Sequence, residues 1–424
     1  MAYRFVHAAD IHLDSPLRSL AMRNPELADM VGNATRQAFV RVIDLCLREQ
    51  VDALLLAGDL YDGEQTSMKT ARFLAEQIRR LHEADIRVFI IRGNHDAVSQ
   101  ITKELVFPET VKVFSGRAEA VAMDRPRDNF PVVIHGLSFA EPHAPESLVG
   151  KYKPAVAGAL NIGILHTSLT GSSGHNPYAP CSLADLQATG FHYWALGHIH
   201  KRSVSEGKCT VVMSGMPQGR DINESGAKSV SLVTVADDLS IRIEERFTSV
   251  AQFERVAIDA SGIEEWAALA REIGKALERA QSHAASDHLV ARISVTGVSP
   301  LAWRMRRDFD LLKAEADDRA SVVGRCWVEK LEIESQPPSA TKSTSGDPLI
   351  DLRRLIIDEV ASSDAFKATA LEAAEELRGQ LPAECRHSLG ESEAELDSIV
   401  ADLLAEGADD VVARLHANVE KEMA

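Results

Sequence analysis

Cysteine, long apolar runs and positive charge are all in short supply in this sequence. Five cysteines (Cys46, Cys181, Cys209, Cys326 and Cys385) are scattered through 424 residues, with no CxxC pair among them. An odd, dispersed set argues against a disulfide framework or a thiolate zinc site and reads as small hydrophobes in a reducing compartment. No uncharged apolar run approaches the roughly 18 residues of a membrane span. The opening MAYRFVHAAD lacks the basic-then-apolar pattern of a secretion signal, so a cytoplasmic globular protein is expected. Lys and Arg number 46 against 63 Asp and Glu, a net charge of −17. Much of that imbalance lies at one end. Pro348–Ala424 holds seven basic and eighteen acidic residues, a balance of −11, which leaves −6 for the 347 residues before it. The charge therefore weighs little against a polyanionic partner for the front of the chain.

The apolar fraction of 45% and charged fraction of 26% are ordinary for globular proteins, and the length allows two or three domains. Through the first two-thirds, short apolar runs (RFVHAAD, DALLLAGD, VFIIRGNHD, PVVIHGLSF, NIGILHTS, YWALGHIH) read as buried strands. Between them, NATRQAFVRVIDLCLREQ and SMKTARFLAEQIRRLHEAD carry apolar residues at helical spacing, with Asn33 and Thr66 or Ser67 as N-cap candidates. Such alternation predicts an α/β layer fold with ligands held at strand carboxyl ends. From Cys209 to Thr248, successive strands predict an added antiparallel portion. Residues 249–334 read as β-α-β-α-β, a small α+β domain, with helices near Glu264–Ala280 and Leu301–Ala316. Residues 335–348, SQPPSATKSTSGDP, read as a linker, and 349–424 as an acidic helical region that forms a small bundle or docks on a partner. There is no internal repeat.

Five short segments concentrate polar groups at these strand ends. AADIH places Asp10 and His12; AGDLYD places Asp59 and Asp62; RGNHD places Asn94, His95 and Asp96; LHTS places His166; GHIH places His198 and His200. Alternate residues of an extended chain point the same way, so Asp10/His12 and His198/His200 can each direct two side chains into one pocket. Glycines before Asp59, Asn94 and His198 let the backbone turn sharply there. Four imidazoles, two carboxylates and an amide oxygen, with no sulfur, are too many for one tetrahedral zinc. They suit two divalent ions ~3.5–4 Å apart, bridged by a shared carboxylate, for which Asp59 is the natural choice.

The motifs D-x-H, G-D-x-x-D, G-N-H-D, H and G-H-x-H, in that order, resemble the calcineurin-like metallophosphoesterase superfamily over roughly the first 250 residues. FVHAADIHLDSP, NPYAPCSLADL and SGMPQGRDINESG resemble a narrower group, the bacterial SbcD-type DNA-repair exonucleases, YhaO-like proteins in particular. The resemblance implies an α/β fold, a β-sandwich flanked by helices (αββα) over residues 1–248, with a capping domain over 249–334. It also implies a helical tail that engages an SbcC-like SMC-type ATPase, DNA as substrate, and a homodimer. Asp10, His12, Asp59 and His200 would hold one metal, and Asp59, Asn94, His166 and His198 the other. Manganese is the usual ion, with iron, zinc or magnesium compatible with the same donors. His95 would face the scissile phosphate with Asp96 behind it, and a hydroxide between the metals would attack phosphorus in line. Some relatives carry a histidine where this chain has Asp62, which leaves the balance of exonuclease and endonuclease activity open.

Asp14 and Ser15 are candidates for substrate contact, as is Asp62 at the departing position. Arg220, in the glycine-flanked QGRDINESG loop, is a candidate phosphate clasp or else a surface ion pair. His7 and His135 sit in apolar runs and read as core histidines, His192 as structural, His82 as a helix-surface residue and Trp194 as core. His175 could line the cleft. Two other readings compete with a DNA nuclease: a phosphoesterase of a small nucleotide phosphodiester or pyrophosphate, and a DNA-end scaffold for an ATPase.

Overall fold

The computed structural model describes residues 2–15, 25–62, 67–97, 106–123, 130–169, 178–338, 348–381, 386, 389–390 and 392–423. The first elements are β1 (Tyr3–Ala8), α1 (Pro25–Gly32), α2 (Ala34–Glu49), β2 (Ala53–Ala57), α3 (Met68–Glu83), β3 (Arg87–Ile91) and β4 (Val111–Val113). There follow β5 (Glu119–Met123), β6 (Val132–Gly136), β7 (Leu160–His166), β8 (Tyr193–Gly197), β9 (Ser203–Ser205), β10 (Thr210–Met213), β11 (Ser229–Val235) and β12 (Ile241–Phe247). They build two six-stranded sheets, ordered β12-β11-β1-β2-β3-β4 and β5-β6-β7-β8-β10-β9.

The period-two pattern of the central strands explains why the sheets are covered on both faces. In β2 and β3, Leu54, Leu56, Val88 and Ile90 face one way, into a core with Phe39, Val42, Ile43, Leu74 and Ile78 from α2 and α3. Leu55, Ala57, Phe89 and Ile91 face the other way, against Ile134, Ile162, Ile164 and Ala195 of the second sheet. The far face of that second sheet packs Trp194, Leu196 and Met213 on Leu186 and Phe191. Each fully buried Leu or Ile contributes about 1.5–3 kcal/mol of transfer free energy, and the layers are helix, sheet, sheet, helix. The segment expected to be wholly antiparallel divides. β10 runs parallel to β8, while β11 runs antiparallel to β1 and β12 antiparallel to β11, completing the first sheet. Asn33 and Ser67 stand at N-cap positions without a side-chain capping bond, and Thr66 lies outside the described residues.

The chain divides into two compact units, residues 1–255 with 280–291, and residues 256–279 with 292–424. β13 (Ala251–Asp259), β14 (His288–Thr296) and β15 (Cys326–Ile333) form a three-stranded sheet, with helices at Trp266–His283, Ala302–Arg307 and Phe309–Val323. The helix expected near Leu301–Ala316 is thus two helices, broken at Asp308. The second unit continues through helices Pro348–Leu355, Asp364–Gln380 and Glu393–Met423. There Trp303 packs on Val412 and Ala413, and Asp409 pairs with Arg353 at 2.5 Å and Arg306 at 3.7 Å. Linker residues 339–347 lie outside the described residues. Among those described, no helix is long and apolar enough to cross a membrane.

Candidate metal centre

The carboxyl ends of β1, β2, β3, β7 and β8 deliver the expected ligands, but not by simple extension. Asp10 (φ 52°), His12 (φ 45°), Asp59 (φ 52°) and His198 (φ 102°) all adopt left-handed backbone conformations. Each such residue costs about 1–3 kcal/mol, so four of the seven expected ligands sit where the backbone is strained. The surrounding hydrogen bonds hold these conformations. Asp10 N donates to Gly58 O at 3.1 Å, His12 N to Asp59 O at 3.1 Å, and His198 N to both Asp10 carboxylate oxygens at 3.0 and 3.1 Å. Gly58 (φ 95°) takes the turn before Asp59. At Gly93 a side chain would run into the Asp59 carboxylate and the His166 ring.

The ligand atoms gather in two groups. Asp10, His12 and His200 form one; Asp59, His166 and His198 form the other, each with donor atoms within 4.8 Å of one another. In the first group, His12 Nδ1 meets the Asp62 carboxylate and His200 Nδ1 meets Glu224 Oε1 at 2.7 Å. With both Nδ1 atoms donating to carboxylates, the neutral rings carry lone pairs on Nε2, and these face each other at 3.2 Å. In the second group, His166 Nδ1 donates to Ala57 O at 2.9 Å. Its Nε2 lone pair therefore points at Asn94 Oδ1 (3.0 Å) and Asp59 Oδ2 (3.2 Å), both of which can only accept. Lone pairs that converge in a buried site require a proton or a cation between them. The donor set of imidazole, carboxylate and amide oxygen fits two divalent cations.

The charges tell the same story. Burial lifts Asp10 above the usual carboxylate range, against the nearby His166 and His200 rings. Asp59 is held well below that range: burial opposes ionisation, but the charge and hydrogen bond of His166 outweigh it. For His166, burial favours the neutral ring, yet Asp59 and then Asp10 raise its pKa to about 9. Without a cation, a proton on His166 takes the place that positive charge must fill.

His95 belongs to neither group; with His12 and Asp62 it forms a third cluster, whose donor atoms also lie within 4.8 Å of one another. Its side chain is 45% exposed, its ring meets that of His12 edge-on at 5.1 Å, and its backbone N–H donates to Asp59 Oδ1 at 3.0 Å. Burial lowers its pKa despite the charge of Asp59. Asp96, expected behind this ring, is fully buried and spends its carboxylate on the backbone N–H groups of Gly93 (2.6 Å) and Leu60 (3.0 Å). Burial, and then the charge of Asp59, push its pKa to about 7. Asp96 thus shapes the GNHD turn, and it is Asp62 that lies 3.6 Å from His95 Nδ1.

The remaining candidates fall in two places. Asp14 is pinned by Arg36 and Thr70, tying the loop after β1 to α2 and α3. Ser15 and Arg220 lie at the first ligand group, and the Arg220 donors go to Glu224, Asp62 and Ser15 of the chain itself. Glu224 is the residue that sequence reasoning missed. Its signal was there in QGRDINESG, an acid four places after the arginine, but its histidine partner is 24 residues away. His7 is fully buried on Tyr193 and Leu196, His135 bonds Asn161, and His192 accepts from the Asn161 backbone. His82 bonds Thr110 rather than standing free on the helix surface, and Trp194 is core. His175 lies outside the described residues.

Comparison with known proteins agrees with this site. Residues 3–202 match the calcineurin-like phosphoesterase family, and residues 253–336 match the middle domain of the metallophosphoesterase YhaO. The metallophosphoesterase YhaO of Bacillus subtilis (strain 168) is 33% identical over 338 residues, 78% of this chain and 82% of that protein. The DNA double-strand break repair protein Mre11 of Methanocaldococcus jannaschii is 28% identical over 47% of this chain and 51% of its own length. Mre11 of Sulfurisphaera tokodaii is 26% identical over 50% of this chain and 54% of its own. With the strand-end motifs and their two ligand groups, this likeness places the chain in the calcineurin-like metallophosphoesterase family, as a metal-dependent phosphoesterase related to YhaO.

Proposed function

We propose that the chain is a two-cation phosphodiesterase acting on DNA, trimming or nicking ends during repair. The observation that carries the reading is the meeting of two buried, lone-pair-rich ligand groups beside His95, whose half-exposed ring is open to an incoming phosphate. The similarity to Mre11 repair proteins over the phosphoesterase portion supports DNA as the substrate. Bound cations, manganese by preference, would supply charge that polarises the phosphodiester and acidifies water. In hydrolysis a water oxygen bonds to phosphorus, the P–O bond to the leaving nucleoside oxygen breaks, and that oxygen takes a proton. His95 stabilises charge on the phosphoryl oxygens or supplies that proton, with Asp62 close to its Nδ1. Asp59, whose carboxylate meets His166 Nε2 and takes the His95 backbone N–H, would be the carboxylate shared by the two cations.

The C-terminal helices support a partner. Leu355, Val360, Phe366 and Leu377 expose apolar surface on an acidic background, suited to docking helices of an SbcC-like SMC-type ATPase. The test of the enzymatic reading is a comparison of labelled duplex DNA, single-stranded DNA and a small aryl phosphodiester, with each divalent metal in turn. Manganese-dependent DNA cleavage that disappears in Asp59→Asn supports it. Turnover of the small ester alone, with DNA left intact, refutes DNA as the substrate and leaves a small nucleotide ester in its place.

A further inference from the structure

We propose that Arg220 is a positioning residue for one cation site only, the group formed by Asp10, His12 and His200. The inference rests on the two-cation reading of this pocket and not on DNA as the substrate. The Arg220 guanidinium is shared between two carboxylates. Nη2 donates to Glu224 Oε1 at 2.8 Å, Nε lies 3.3 Å from both Glu224 oxygens, and the Arg220 backbone N donates to Oε2 at 2.7 Å. Nη1 reaches Asp62 Oδ2 at 3.5 Å and Ser15 Oγ at 3.4 Å. Each carboxylate in turn takes the Nδ1 proton of one ligand histidine, Glu224 from His200 at 2.7 Å and Asp62 from His12. The result is an unbroken path, His12–Asp62–Arg220–Glu224–His200, with the cationic fork at its middle.

This path does two things. It fixes the tautomer of both rings so that both Nε2 lone pairs face the same point, and it keeps two shielded carboxylates, 20% and 12% exposed, from repelling each other. The second site has a different support. His166 is oriented by the main-chain carbonyl of Ala57, and Asp59 is held by the backbone N–H of His95. Loss of Arg220 therefore falls on one site and spares the other. Lysine cannot replace it, because a single ammonium does not offer the planar fork that spans two carboxylates.

The test is a Mn2+ titration of the full chain, read by calorimetry and by the electron paramagnetic resonance of free Mn2+. The wild-type chain is expected to take two ions. Arg220→Ala should bind one with unchanged affinity and the other about 10–100-fold more weakly, and Glu224→Gln should weaken the same ion. Hydrolysis of a small aryl phosphodiester by Arg220→Ala should recover as Mn2+ is raised, its half-saturation shifted and its maximal rate largely kept. If the alanine variant does not fold, Arg220→Lys carries the test, with the same site weakened. Unchanged affinity at both sites, or equal weakening of both, overturns the proposal. A wild-type chain that takes up no Mn2+ overturns the two-cation reading itself, an outcome distinct from failure of the variant alone.

Discussion

The strand ends and the C-terminal helices treat water in opposite ways. At the strand ends, Asp10, His12, Asp59 and His166 are polar yet almost wholly buried, the first three of them on a backbone strained into left-handed turns. Along helix Asp364–Gln380 no residue is buried, and Phe366 and Leu377 are 42% and 52% exposed. Burying polar groups without partners costs several kcal/mol, and leaving large apolar side chains in water forgoes the stabilisation that burial brings. Both regions therefore depart from what stability alone favours, and the proposed function accounts for each departure. On that reading the first receives cations and a phosphate, and the second a partner's apolar surface.

The largest expected effect breaks the first region. Asp59→Asn removes the buried carboxylate charge beside His166 and, on the proposed reading, the ligand common to both cations, so phosphodiester hydrolysis should fall by at least ~10²–10³-fold. Initial rates with saturating Mn2+ check this, and near wild-type turnover would detach Asp59 from the chemistry. His95→Ala should lower the maximal rate by about 10²–10⁴-fold while the chain still takes up both ions. Loss of metal binding in that variant would make His95 a ligand instead.

Stability contrasts the regions next. Ile164→Ala, fully buried between the sheets, should cost about 2–5 kcal/mol. Leu377→Ala should change stability by less than ~0.5 kcal/mol. Urea denaturation of both variants measures the gap, and a large cost at Leu377 would show that its surface is packed within this chain.

A smaller effect concerns pH. Burial, then the charge of Arg202, lowers the His7 pKa to about 3 from its ordinary 6.5, against a bond to Leu196 that favours the charged ring. Between those values the unfolded chain holds a proton that the folded chain refuses. The stability His7 lends is thus complete above about pH 6.5 and drains away as the pH falls toward 3. From pH 7 to 5, wild type should lose about 2 kcal/mol more than His7→Gln. Parallel losses in the two proteins would contradict this.

Much of the first unit could be read from the sequence, because fully buried strands such as ALLLA and YWALG leave continuous apolar runs. β4, β5 and β9 leave no such mark, being three to five residues long and partly exposed. The ligands were legible as motifs, but their backbone geometry was not. An extended D-x-H predicts side chains on one face, and the chain instead reaches convergence through alternating left-handed residues held by long-range bonds to the segment just after β2. Glu224 and the placement of Asp62 by His95 were hidden for a related reason. Which carboxylate reaches an imidazole depends on which backbone N–H groups have already claimed its neighbours, as Gly93 and Leu60 claim Asp96.

The central claim is that residues spread from Asp10 to His200 hold a pair of cations, and crystals grown with Mn2+ test it most directly. Anomalous scattering should give two peaks about 3.5–4 Å apart, one against Asp10, His12 and His200, the other against Asn94, His166 and His198, with Asp59 touching both. A single peak, or two peaks away from these side chains, would contradict the account.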